Sequence, residues 1–60
     1  MQNFTVMIES FGGVERELTH FDTNEEARRF CNQFDWLYAD ENGFHWEMYI
    51  RDNRYDKMFA

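Results

Sequence analysis

Carboxylates are the groups in this chain with most scope for chemistry. Twelve acids stand against six bases, a formal charge of −6 over 60 residues. Adjacent or near pairs recur at Asp22, Glu25, Glu26, Asp35, Asp40 and Glu41. General acid work needs a carboxyl whose pKa is lifted by an apolar pocket. These acids fall instead at a helix start and in a turn, where carboxylates are solvated. Ser10 is the sole serine, no Gly-rich phosphate loop exists, and so small a two-layer domain has little depth for a pocket. The sequence therefore assigns no catalytic residue, no cofactor and no enzymatic activity.

Metal chemistry fares no better. His20, His45, Cys31 and Asp22 are the candidate ligands, but no His-x-His, His-x-x-x-His or Cys-x-x-Cys spacing occurs. Asp40-Glu41-Asn42-Gly43 carries too few oxygens for a calcium loop. No metal site is expected. Cys31 is the only cysteine, so no internal disulfide can form, and its place in an apolar helix stripe makes it a core residue.

Recognition remains. An acidic chain lacks the clustered Lys and Arg that hold phosphate, which argues against direct nucleic-acid binding and points to a basic protein partner. The acids expected to meet it are Glu15, Glu17, Asp22, Glu25, Glu26, Asp40 and Glu41. The same acidity also serves solubility. There is no basic segment leading into a long apolar one, and no apolar run near the ~20 residues of a membrane span, so a cytoplasmic protein with no membrane contact is expected.

Four strands and a helix must position these groups. Phe4, Val6 and Ile8 alternate with Thr5, Met7 and Glu9, a strand pattern. Phe11-Gly12-Gly13 punctuates, and Val14 to Phe21 alternates again. A three-residue Phe-Gly-Gly loop sets Val6 beside Leu18 and Ile8 beside Arg16; a two-residue Gly-Gly turn sets Val6 beside Thr19 and joins fewer apolar groups. Thr23-Asn24-Glu25-Glu26 reads as a capping box opening a helix. Ala27, Phe30, Cys31 and Phe34 form its apolar stripe, and Glu25 and Arg29 are an i,i+4 pair. The helix should stop near Phe34 or Asp35.

Trp36 to Arg51 then reads as a hairpin about Asn42-Gly43. With a two-residue type I′ turn, Glu41 pairs with Phe44, Ala39 with Trp46 and Leu37 with Met48. Leu37, Ala39, Phe44, Trp46, Met48 and Ile50 become the core face. Trp36, Tyr38, His45, Glu47, Tyr49 and Arg51 share the other face, with Asp40. That aromatic set suits a protein interface, where Trp, Tyr and Arg act as anchors. It serves a foreign partner or a homodimer, since an uncovered aromatic sheet face is a liability for a monomer, or else these residues cover one another and the C-terminal tail folds over them. After Arg51 the pattern dissolves, and residues 52–60 read as a tail prone to fray, with Tyr55, Met58 and Phe59 either tucked on the sheet or exposed.

The expected fold is one small α+β domain over residues 1–60: a two-layer β-β-α-β-β arrangement, mostly antiparallel, with one helix on one face and nothing from this chain on the other. Its length, its −6 charge and this reading with the strand Glu41-Asn-Gly-Phe-His-Trp-Glu-Met-Tyr-Ile50 resemble the small acidic proteins that bacteriophages and mobile elements encode against host defences, of the anti-CRISPR and anti-restriction type. The resemblance transfers no residue roles. It implies a non-catalytic inhibitor, a DNA mimic in character, that binds a nuclease where DNA enters or a target is recognised. The alternative is a structural domain that self-associates through its aromatic face.

Overall fold

The structure is a computed structural model describing residues 2–56, with side chains described for residues 2–54. In chain order the elements are β1 (Phe4–Glu9), β2 (Glu15–Phe21), α1 (Asn24–Gln33), β3 (Leu37–Ala39), β4 (His45–Asp52) and a single helical turn, α2 (Asn53–Asp56). The strands form one antiparallel sheet in the order β2-β1-β4-β3. Helix α1 carries the chain from one sheet edge to the other and lies against β1, β4 and β2. This is the two-layer α+β arrangement that the sequence predicts.

The first hairpin closes through a three-residue Phe-Gly-Gly loop. Ser10 N donates to Val14 O at 2.9 Å and Gly13 N donates to Ser10 O at 3.0 Å. Gly13 takes φ +81°, the left-handed residue such a loop needs. Ile8 lies opposite Arg16 as expected, but Val6 lies opposite Thr19 and not Leu18. A β-bulge at Leu18 joins two registers that the sequence offers only as alternatives. The reason lies further along the strand. Continuing the Ile8–Arg16 register would put His20 opposite Phe4, under the helix. The bulge substitutes Phe21, whose ring meets Phe30 of α1 at 5.5 Å between centroids.

Helix α1 begins at Thr23, whose Oγ1 accepts from Glu26 N at 3.2 Å. Reciprocation is by side chain: the Thr23 hydroxyl donates to Glu26 Oε1 at 2.9 Å. Ala27 and Cys31 are fully buried and Phe30 partly so, while Phe34, the last residue of the stripe, is 42% exposed. No glycine ends the helix. Asp35 and Trp36 take φ 54° and 62°, and Trp36 N donates back to Cys31 O at 3.0 Å, closing a Schellman-type cap. Left-handed backbone costs a non-glycine residue about 1–2 kcal/mol, and here the compensation is visible. The reversal returns the Trp36 indole to the helix, where Nε1 donates to Asn32 Oδ1 at 2.8 Å and the ring packs on the core.

The second hairpin differs from expectation by one residue. Leu37 pairs with Glu47, Tyr38 with Trp46 and Ala39 with His45. Asp40 closes a three-residue loop, with Asp40 N donating to Phe44 O and Gly43 N to Asp40 O, both at 3.0 Å. A type I′ turn needs positive φ at both central residues; Gly43 has φ +83° and Asn42 is not among the positive-φ residues. Asp40 decides the matter, since its Oδ1 accepts from Asn42 N at 2.9 Å and from Phe44 N at 3.0 Å.

A one-residue slip turns every side chain of one strand to the other face. Leu37 and Ala39, expected in the core, are exposed, and Trp36 and Tyr38, expected outside, pack against it; Phe44, also expected in the core, precedes β4 in the loop and is exposed. Strand β4 keeps its assignment, with Trp46 and Met48 buried and Ile50 packed beside them. The core is completed by Phe4, Val6 and Ile8. Nor does the pattern dissolve at Arg51: β4 continues to Asp52, and Asn53 N donates to Asn3 O at 2.8 Å. The expectations for the side chains of Tyr55, Met58 and Phe59, and for fraying over residues 57–60, lie outside the described residues.

Candidate functional site

The face away from α1 was expected to be bare, yet at its centre Thr5 is 0% and Met7 4% exposed. Met7 lies between Glu17 of β2 and Tyr49 of β4, and Thr5 between His20 and Arg51. Long polar side chains of the flanking strands close over these two.

They do so as a ring. Arg51 donates from Nη2 to Glu17 Oε1 at 2.7 Å and from Nε to Asn53 Oδ1 at 3.0 Å. Asn53 Nδ2 donates to Thr5 Oγ1 at 2.8 Å, and that oxygen lies 3.0 Å from His20 Nδ1. His20 Nε2 returns to Glu17 Oε2 at 3.8 Å. The bulge at Leu18 makes this geometry possible: an unbroken strand would send residues 17 and 20 to opposite faces. Among the described residues no buried side-chain polar atom lacks a partner.

Beyond the ring, towards the hairpin tips, the face changes character. One row crosses all four strands: Glu15 pairs with Glu9, Glu9 with Glu47, and Glu47 with Leu37. Like charges directly opposite each other destabilise a sheet. Tyr49 donates its hydroxyl to Glu15, and this bond, with burial and the charges of Glu15 and Glu9 adding to it, pushes the phenol up to about 12. Glu9 and Glu47 have no cation within ion-pair distance among the described residues. Phe11 and Leu37, both among the large apolar side chains exposed in the described residues, line a groove together with Glu9 and Glu47.

The residues expected to form an acidic surface are not brought together. Glu15 and Glu17 lie on the open face, the latter committed to Arg51. Asp22, Glu25 and Glu26 cluster at the start of α1, with Glu25 bonded to Arg29 at 3.3 Å. Asp40 is occupied by its loop and by Trp46 Nε1, which donates to Oδ2 at 3.1 Å. These hydrogen bonds, the indole's first, hold the Asp40 carboxyl below its usual value. Glu41 is exposed in the same loop.

The expected aromatic face is divided. His45, Glu47, Tyr49 and Arg51 stay on the open face; Trp36 and Tyr38 leave it for the core side. The residue missing from both sets is Glu9. Its pairing with Glu15 follows from the three-residue loop and was open to sequence reasoning, whereas its pairing with Glu47 depends on β1 and β4 meeting at the sheet centre.

Burial pushes the Cys31 thiol up, away from the reactive thiolate form. No group of three or more His, Cys, Asp or Glu among the described residues is arranged to hold a metal ion. No helix among them is long and apolar enough to cross a membrane.

Fold and face together define a small α+β domain whose open sheet face carries a self-satisfied polar ring and, beside it, an unbalanced acidic row with an apolar rim. No family model, curated protein or solved structure matches the chain.

Proposed function

We propose that this chain is a non-catalytic, cytoplasmic protein-binding module that inhibits or regulates a basic, nucleic-acid-handling protein through its open sheet face. The observation that carries the reading is the row Glu15–Glu9–Glu47. Glu15 is held by the Tyr49 hydroxyl, but folding gains nothing from Glu9 and Glu47 facing each other on adjacent strands, and a positively charged partner gains both faster encounter and register from them. The exposed apolar rim supports the same reading, because interface cores are apolar and aromatic while their charged rims steer. The anchors are Tyr49, His45 and the rim, with Trp36 and Tyr38 contributing from behind by fixing β3.

Affinity capture from host lysate, followed by competition with duplex DNA, tests this. A captured nucleic-acid-binding protein that duplex DNA displaces, and whose retention falls steeply between low and high salt, is the expected result. Capture indifferent to both salt and DNA would refute it.

A further inference from the structure

Between the two hairpin ends, on the open face, lies a groove of about 360 Å³ lined by Glu9, Phe11, Leu37, His45 and Glu47. We propose that this groove is a socket for a single arginine side chain of the partner. The inference rests on the reading above that the acidic face meets a basic protein, and it names the group recognised.

Three features favour arginine. Glu9 and Glu47 are directly opposite in an antiparallel pair, so their Cβ atoms stand about 4.5–5.5 Å apart on one face. Two carboxylates so spaced match the planar fork of a guanidinium better than the point charge of an ammonium. Phe11 is fully exposed at the groove wall and offers a ring face for a guanidinium to stack on. Leu37, 53% exposed on the opposite wall, covers the apolar stem that an arginine must bury to reach in. Of the cations described elsewhere in the chain, Arg51 is engaged with Glu17, Arg54 with Asp52 and Arg29 with Glu25, Arg16 lies over the Trp46 ring at 5.2 Å, and Arg28 stands on α1.

The test is an NMR titration of the ¹⁵N-labelled protein with three capped peptides, acetyl-Gly-Arg-Gly-amide and its lysine and citrulline counterparts. Saturable shifts confined to the amides of Glu9, Ser10, Phe11, Leu37 and Glu47 are expected with the arginine peptide. The lysine peptide should bind about fivefold more weakly, and the citrulline peptide should give no saturable shift. Phe11→Ala and Glu47→Gln, both at exposed positions that leave the core intact, should each weaken the arginine peptide about fivefold. Equal binding of the citrulline peptide, shifts spread equally over Asp22, Glu25 and Glu26, or affinity indifferent to both variants would overturn the socket. Concentration-dependent shifts at the same amides without peptide would assign the groove to a second copy and overturn it too. Diffuse peptide binding alongside a DNA-displaced partner would end the socket and leave the broader reading standing; localised arginine binding without such a partner would do the reverse.

Discussion

Asp40 and Trp46 are tied across the second hairpin by the indole Nε1, which donates to Asp40 Oδ2 at 3.1 Å while Oδ1 holds two amides of the loop. One carboxylate thereby selects a three-residue loop and sets which side chains of β3 enter the core. Asp40→Ala should lower the urea midpoint measurably, and Asp40→Asn, which keeps Oδ1 as an acceptor, should lower it less. An equal loss from both would mean that the loop amides contribute nothing.

The same carboxylate makes a pH prediction. Its pKa is held below 3.8 in the fold, chiefly by the indole hydrogen bond. A depressed carboxyl contributes stability that is fully present above its unfolded value and is lost as pH falls through the lower folded one. The urea midpoint of the wild type should therefore fall below about pH 4, and more steeply than that of Asp40→Asn. Tyr49 works in the opposite range. Its neutral form is favoured by the fold, so its contribution is complete below pH 10 and is lost as pH rises through about 12. Ultraviolet titration should show a late phenolate that Tyr49→Phe abolishes.

The register separates Leu37 from Met48, which the sequence pattern puts side by side. Met48→Ala should cost about 2–5 kcal/mol, enough to unfold a domain of this size, while Leu37→Ala should stay within about 0.5 kcal/mol. Equal losses would restore the two-residue turn.

Much of the fold was legible in local patterns. The alternation of Phe4, Val6 and Ile8, the Thr23 cap and the Ala27–Cys31 stripe each depend on neighbours in sequence, and each is found. What escaped was decided at a distance or by side-chain choice. Asp40 binds its own loop in preference to facing solvent, Leu18 bulges so that Phe21 can meet Phe30, and Asp35 and Trp36 turn left-handed without a glycine to announce it. The candidate site suffered accordingly. Its aromatic half rested on the β3 register and was split, and its acidic row needed the β1–β4 pairing, which no local signal gives.

The left-handed pair at the end of α1 yields a stabilising substitution. Asp35→Gly removes the Cβ conflict at φ 54° and should raise stability by about 0.5–1 kcal/mol net of glycine's greater unfolded-state entropy. A loss of stability in urea denaturation would show that Asp35 is held there by an interaction of its side chain.

The polar ring should behave as a unit. Thr5→Val keeps the volume but strands Asn53 Nδ2 and His20 Nδ1, and should cost about 1–3 kcal/mol by urea denaturation. A neutral result would mean that the ring is a surface arrangement without energetic weight.

The central claim is that the facing pair Glu9 and Glu47 serves a partner and not the fold. The most direct measurement is salt-sensitive capture of the DNA-displaced partner by Glu9→Gln/Glu47→Gln beside the wild type, with urea midpoints of both. The account predicts a variant at least as stable as the wild type, by up to about 0.5–1 kcal/mol, that no longer retains the partner. A variant that loses stability, or that captures the partner as well as the wild type does, would contradict it.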